Sequence, residues 1–414
     1  MSIIKDPSLA PSGKLKIDWV RDHMPTLSAI RERFRQEQPF RGVRIAMSIH
    51  MEAKTANLAL VLREGGAEVF ATGCNPLSTQ DDVAAALAGL GAEVYAKYHV
   101  SDEEYTHLLV KTLECRPHLI IDDGGDLVNL LCGDSADLGS VLIGGCEETT
   151  TGVHRLKARA EAGLLPWPMI NVNDARCKHL FDNRYGSGQS VWDAIMHTTN
   201  LLVAGKTVVV SGYGYCGKGI ALRARGLGAD VVVTETDPVA ALEATMEGCR
   251  IMPMSQAAAI GDLFITVSGC RDVIQKEHLD VMKDNAILCN AGHFNVEIDM
   301  QALEEMSVRS FPRRENIQGY ELPDGRVLNV LAEGRLVNLA AGNGHPAEIM
   351  DLSFAVQCLS LEYLLRVGTT LDKAVYAVPD AIDRAVASAK LQGMGLAIDS
   401  LSGSQEQYLR GWEV

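Results

Sequence analysis

The feature that most constrains this chain is the stretch from Thr207 to Asp237. It reads Thr-Val-Val-Val-Ser, then Gly212-Tyr-Gly214-Tyr-Cys-Gly217, then an Ala/Leu/Arg run, then Val-Val-Val-Thr-Glu235. Val208 to Val210, β-branched without alternation, predict a strand buried on both faces, as in a parallel sheet covered by helices. Gly212 permits a tight turn, and Gly214 lets the backbone approach a phosphate. Gly217 lets the next helix pack close to the strand, with its N-terminus facing the anion. Glu235 ends the second strand 18 residues beyond Gly217. There a carboxylate accepts hydrogen bonds from an adenosine ribose and repels a 2′-phosphate, so the expected ligand is NAD rather than NADP.

At 414 residues the chain exceeds one ordinary hydrophobic core. Strand-like runs alternate with helical ones on both sides of the glycine stretch. The expected fold class is therefore α/β, with two doubly wound Rossmann-like domains, a central cleft and a short C-terminal tail segment. The expected bounds are 1–186 for a substrate-binding domain, with 347–385 returning to it, 187–346 for the NAD-binding domain, and 386–414 for the tail. The first boundary is placed at Gly186-Ser-Gly-Gln-Ser190, read as a glycine/serine hinge before a helix from Val191 to Val203.

The net charge of −15 argues against nucleic acid as a partner. No apolar run reaches 18 residues and the N-terminus lacks the apolar core of a signal peptide, so a cytoplasmic protein without a membrane partner is expected. The ten cysteines form no C-x-x-C pair and the eleven histidines no H-x-x-x-H pair. Neither pattern points to a disulfide framework or a structural transition-metal site.

In the first half, three strand-like runs stop at chemically rich loops: at His50, at Ser78-Thr79-Gln80, and at Asp123. Ligands of open α/β sheets sit beyond the carboxyl ends of the strands, so the recurrence predicts a site. Lys178 and Asp182, four apart, share a face if helical, and a desolvated lysine beside a carboxylate can exchange protons with a sugar hydroxyl. Spacing alone fits a surface ion pair equally well.

Several long runs carry a resemblance. Ser78-Thr-Gln-Asp-Asp, Asp122-Asp-Gly-Gly-Asp126, Glu147-Glu-Thr-Thr-Thr-Gly-Val-His154, Phe181-Asp-Asn, Gly292-His-Phe and Leu331-Ala-Glu-Gly-Arg-Leu-Val-Asn-Leu stand in the order found in S-adenosylhomocysteine hydrolases. The chain resembles that family over roughly residues 35–365. The resemblance implies a tightly bound NAD that oxidises the ribose 3′-hydroxyl, acidifying C4′. Homocysteine is then eliminated from C5′, water adds, and the ketone is reduced again. It implies that Lys178, Asp182 and Asn183 serve the 3′-hydroxyl and that Glu148 and Thr149 face the ribose. Asp123 and His50 would move protons at C4′ and C5′, with His293 near the leaving group. Thr149, Thr150, Thr151, Gly212, Gly214, Gly217, Glu235 and Asn338 would contact NAD. Glu52, Lys54, Thr55, Gln80, Leu336 and His345 would bind substrate, with Gln80 and His345 near a monovalent cation, K+ or Na+. A homotetramer is implied as well.

The chain departs from the family's commonest pattern in five places. The purine motif His-x-Thr-x-Glu is here His50-Met-Glu52-Ala-Lys54, a form similar to archaeal and thermophilic relatives, and Asn343 replaces an apolar residue near the purine. Glu52 can accept from a 6-amino group and Lys54 can donate to a 6-oxo group, so S-inosyl-L-homocysteine is an alternative substrate; if the two residues simply pair, adenine remains the purine. Ala240 stands where many members hold the NAD ribose with asparagine, and Ser187 where many have cysteine. The tail lacks the basic, tyrosine-containing segment by which long-tailed members reach a neighbouring subunit. An ordinary dehydrogenase and a catalytically silent relative are the readings from other classes.

Overall fold

The computed structural model describes residues 2–412. Met1, Glu413 and Val414, the last two belonging to the expected tail segment, lie outside the described residues.

Two eight-stranded sheets form the molecule. The first contains β1 (Ile3–Ile4), β2 (Arg44–Ser48), β3 (Glu68–Thr72), β4 (Glu93–Ala96), β5 (Leu119–Asp122), β6 (Gly144–Glu147) and β7 (Met169–Asn171). The second contains β8 (Thr207–Ser211), β9 (Asp230–Thr234), β10 (Arg250–Ile251), β11 (Leu263–Thr266), β12 (Ile287–Asn290), β13 (Arg309–Arg314), β14 (Ile317–Glu321) and β15 (Val327–Leu331). The chain then returns to the first sheet with β16 (Val375–Ala377). The strand orders are β1-β4-β3-β2-β5-β6-β7-β16 and β10-β9-β8-β11-β12-β15-β14-β13. The first sheet is parallel throughout; in the second, only β14 pairs antiparallel with its neighbours. Both orders reverse direction at an inner strand, β2 and β8, the position at which doubly wound sheets open a crevice.

The valine run behaves as its composition requires. Val208, Val209 and Val210 are fully buried, divided between hydrophobic clusters on opposite faces of β8. Each contributes about 1.5–3 kcal/mol by leaving water. After β2 the chain turns into α1 (Ala53–Glu64), which ends at Gly65-Gly66 with Gly66 at φ +98°, as the pair predicts.

Register decides where the chemistry goes. Met47 lies beside Ile121, Asp122 beside Glu147, and Glu147 beside Asn171. The segments carrying His50, Asp123, Glu148 and Asn173 therefore leave the sheet along one edge. In the second sheet Ser211 pairs with both Thr234 and Thr266, and Thr266 with Asn290. Gly212, Glu235, Ser268 and Gly292 leave along one edge there too.

Local structure differs from expectation at Gly186–Ser190. The run is not an open hinge: it passes from a wide π-type turn (His179–Gly186) directly into α2 (Ser187–Thr199). Its glycines serve close packing. A Cβ on Gly188 would lie 2.6 Å from the Gly219 carbonyl oxygen, and one on Gly219 would lie 1.8 Å from the Arg184 carbonyl oxygen. The expected strand at Val141 also begins later, at Gly144. Residues 347–367 form one helix, α4 (Ala347–Val367), buried around most of its circumference against the first core. No helix among the described residues is long and apolar enough to cross a membrane.

Candidate active site

The two strand-end edges enclose a cavity of about 940 Å³. From the first sheet it is lined by His50, Glu52, Lys54, Thr55, Asp123 and Glu148 with Thr149–Thr151; from the second by Gly212, Gly214, Glu235 and His293. Lys178, Asp182, Asn183, Leu336, Asn338 and His345 complete the predicted set. Two predicted residues do not line it. Gly217 sits behind the cradle, where a Cβ would be 2.0 Å from the Gly212 carbonyl oxygen, the close packing its position predicts. Gln80 is set apart: its Oε1 accepts from Lys16 Nζ at 3.0 Å. His345 instead faces Asp182 through Nδ1 and Ser187 Oγ through Nε2 at 3.3 Å. The expected cation pair is thus not gathered at the cavity.

Lys178 is the centre of the first cluster. Its amine lies 3.3 Å from Asp182 Oδ2 and 3.7 Å from Glu148 Oε1, and donates to Asn183 Oδ1 at 2.8 Å and Asn173 Oδ1 at 3.2 Å. The four-residue spacing does bring Lys178 and Asp182 together, though through the π-type turn rather than a regular α-helix. Such turns recur at functional sites because they bend side chains inward. Burial works against the ammonium, but Asp182 and Glu148 outweigh it and hold the lysine above its ordinary pKa. Asp182 goes the other way: burial is overcome by Lys178 and His345, which keep it ionised. Glu148 is pushed up to about 8 by burial, with Lys178 opposing and Asp182 adding to the shift. Sequence reasoning missed three members of this shell. Gln357 Nε2 donates to Glu148 Oε2 at 2.6 Å, Ser353 Oγ donates to Asp182 Oδ2 at 3.1 Å, and Asn173 bridges Lys178 and Asn183. For Ser353 and Gln357 the available signal was a polar residue between apolar neighbours on α4.

Asp123 anchors the second cluster, between His50 (Nε2 to Oδ2, 3.6 Å) and His293 (Nδ1 to Oδ1, 3.7 Å). Gly124 admits the approach: it has φ +106°, and a Cβ there would be 2.5 Å from His293 Nε2. His50 Nδ1 meets Ser78 Oγ at 2.6 Å, and that hydroxyl is 3.0 Å from the Asn75 carbonyl oxygen. Ser78 thus holds the ring through Nδ1 and leaves Nε2 facing Asp123. Burial lowers the His50 pKa to about 4, opposed by Asp123, so the ring is neutral at pH 7.

Behind both clusters, Glu147 is fully buried, and burial with Asp122 and Asp123 raises its pKa well above the usual carboxylate range. Its Oε1 accepts from Gly124 N and Thr149 N, both at 2.9 Å, tying the loop after β5 to the loop after β6.

The second sheet offers a fit for NAD. Gly212 has φ +108°, and a Cβ there would lie 3.0 Å from the Val267 carbonyl oxygen and from Ser268 Cα, whereas one on Gly214 would meet nothing within 4 Å. The helix α3 (Tyr215–Gly226) starts directly after it. Glu235 Oε2 accepts from Tyr213 N at 2.7 Å, which shapes the loop and fixes the carboxylate at the cavity wall. Several buried polar atoms of cavity-lining residues have no protein partner: Ser211 Oγ, Asn338 Oδ1 and Thr55 Oγ1. Unsatisfied buried groups are costly, and their grouping here fits a polar ligand. At the other end Lys54 Nζ is 2.8 Å from Glu52 Oε2 and donates to the Asn343 carbonyl oxygen at 2.8 Å.

Comparison with known proteins agrees with the geometry. Residues 2–139 match the family model for S-adenosyl-L-homocysteine hydrolase, and residues 183–344 match the model for its NAD-binding domain. The chain is 53% identical to S-inosyl-L-homocysteine hydrolase of Methanopyrus kandleri, over 99% of this chain and 97% of that one. It is 54% identical to adenosylhomocysteinase of Thermococcus kodakarensis, over 99% and 97% of the two chains. It is likewise 54% identical to adenosylhomocysteinase of Thermotoga maritima, over 97% and 100%. With both halves of the cavity accounted for by one family and full-length relatives above half identity, the chain belongs to the S-adenosyl-L-homocysteine hydrolase family.

Proposed function

We propose that this chain hydrolyses S-adenosyl-L-homocysteine reversibly to adenosine and L-homocysteine around a tightly held NAD. The observation that carries the reading is a single cavity joining the Lys178–Asp182–Glu148 cluster to the Gly212–Glu235 cradle. NAD, when bound, supplies an acceptor for the C3′ hydrogen and returns it within the cycle. Gly212, Gly214 and Glu235 would hold it, with Thr149, Thr150, Thr151 and Asn338 opposite.

Loss of hydride from C3′ requires the hydroxyl proton to leave. We assign that proton to Lys178, Asp182 and Glu148 as a unit, because groups 3.3–3.7 Å apart titrate together. Asn173 and Asn183 fix the amine so that it meets the hydroxyl in one geometry. A 3′-ketone makes C4′ acidic, and Asp123 with His50 is the acid/base pair assigned to that proton. His293, across Asp123, is assigned to the departing sulfur and the incoming water.

Glu52, Lys54 and Thr55, with Leu336 and His345, are assigned to the nucleoside. The S-inosyl alternative is not favoured: Lys54 is already committed to Glu52 and to the Asn343 carbonyl, the pairing under which adenine remains the purine. No cation enters the proposal at Gln80, since the Lys16 amine already sits on its oxygen. A cytoplasmic homotetramer completes the proposal, on the strength of the family resemblance; light scattering after size exclusion tests the assembly.

The test of the proposed reaction uses the purified full chain. Denaturation should release about one NAD per subunit, and the native protein should cleave S-adenosyl-L-homocysteine repeatedly without added NAD, with a higher kcat/KM than for S-inosyl-L-homocysteine. A need for stoichiometric NAD would identify an ordinary dehydrogenase instead.

A further inference from the structure

Lys178 reaches its partners from a turn that cannot hold its own start. The single helical turn Arg176–Lys178 runs straight into the π-type turn, and Lys178 itself has φ −95° and ψ −70°. The first amides of any helix have no acceptor inside it. A side-chain oxygen at the capping position usually supplies one, but that position is held by Ala175, which has none. The Arg176 and Cys177 amides therefore need an acceptor from elsewhere, and leaving buried amides without one is costly.

One side chain from near the other end of the chain takes both. Asp383 Oδ2 accepts from Arg176 N and Asp383 Oδ1 from Cys177 N, each at 2.8 Å, and Cys177 Sγ lies 3.3 Å from the Asp383 carbonyl oxygen. Asp383 is 8% exposed, stands on the helix α5 (Asp380–Gly393) and does not line the cavity. That helix is itself fastened: Lys390 Nζ donates to Asp351 Oδ2 and to the Glu348 carbonyl oxygen, both at 2.9 Å. Asp351 and Glu348 belong to α4, the helix whose Ser353 and Gln357 hold Asp182 and Glu148. The lysine and the two carboxylates beside it thus take their positions from one pair of packed helices.

Little slack separates the clamp from the chemistry. Lys178 follows directly on Cys177, so a shift there is carried to an amine that meets four partners at 2.8–3.7 Å. A misplacement of about 1 Å in such a site can cost about 100-fold in rate. We propose that Asp383 is a positioning residue of the reaction: through the two amides it fixes the turn that presents Lys178 to the 3′-hydroxyl. The inference rests on the proposed function for the role of Lys178, whereas the clamp does not.

The experiment uses the purified full chain with its bound NAD, and S-adenosyl-L-homocysteine carrying either hydrogen or deuterium at C3′. Asp383→Ala should lower kcat about 10–100-fold, with KM and bound NAD within about twofold of wild type. The C3′ isotope effect on kcat should rise above the wild-type value, because a misplaced amine slows the step in which the hydroxyl proton and the C3′ hydride leave. Asp383→Asn, the same shape with one acceptor oxygen, should fall between the two and carries the test if the alanine variant does not fold. Asp380→Ala, which removes an exposed pair with Arg384 on the same helix, should match wild type. Unchanged kcat in both Asp383 variants overturns the inference. So does a lower kcat with the wild-type isotope effect, which is what a smaller active fraction would give. If the wild type does not cleave the thioether, the proposed reaction fails instead, and the crystal structure of Asp383→Asn decides the clamp alone. Lys178 Nζ drawn away from Asn173 and Asn183 supports it; an unmoved amine overturns it.

Discussion

A buried lysine can serve as a base only if its neighbours let the proton go. At Lys178 they do not do so alone, because Asp182 and Glu148 stabilise the ammonium more than burial destabilises it. What the cluster has is a set of coupled charges, in which Glu148 is the member whose proton is loose near neutrality. Lys178→Ala is expected to lower kcat by about 100-fold or more, the usual scale for a group that moves a proton, with NAD still bound. Near-wild-type turnover would show that the cluster does not handle the 3′-hydroxyl. Glu148 also links pH to stability. Its folded pKa of about 8 lies above the ordinary 4.5, so the unfolded chain ionises first and native stability falls as pH rises through that interval. Glu148→Gln keeps the neutral form at every pH. Its Tm should therefore gain on the wild type between about pH 5 and pH 8; a constant difference would contradict the shift. Lys178 and Asp182 were legible as a pair four residues apart, and their expected role, like that of Glu148, came from the family resemblance. Ser353 and Gln357 were not, because a polar residue on a helix reveals its partner only when the helix is docked, and both partners lie over 170 positions away.

At the scale of elements, the strands were legible because their composition and their function coincide. Val208–Val210 have to be apolar on both sides for the sheet to be covered, and that pattern survives without any knowledge of neighbours. The Gly186–Ser190 segment shows the opposite case. Glycine signals either a turn or a close approach, and only the packing partner tells which. Here it is approach: α2, α3 and the π-type turn meet at Gly188, Gly219 and Arg184. Gly219→Ala should place a Cβ against backbone and cost about 1–3 kcal/mol in chemical unfolding, with reduced kcat because the displaced turn carries Asp182 and Asn183. Gly226→Ala, at the far end of the same helix with nothing within 4 Å, should be neutral or stabilise by about 0.4–1 kcal/mol. Equal effects at the two positions would mean that helix propensity, not contact, governs this interface.

For the whole molecule, two sheets present their carboxyl ends to one cavity, and each supplies what the other lacks. One carries acids, a lysine and histidines; the other carries a glycine turn and the Glu235 carboxylate at the cavity wall. A glycine cradle for NAD by itself suggests an ordinary dehydrogenase. Under the proposed function the first sheet makes the oxidation temporary, and the cluster assigned to the 3′-hydroxyl proton would also return it. The most direct test is to cleave S-adenosyl-L-homocysteine in D2O with the purified chain and no added NAD, then locate deuterium in the adenosine produced. Transient 3′-oxidation predicts many turnovers per bound NAD, with solvent deuterium at C4′ and the original hydrogen retained at C3′. Adenosine formed over many turnovers with no deuterium at C4′ would mean that the thioether is displaced directly, and would contradict the account.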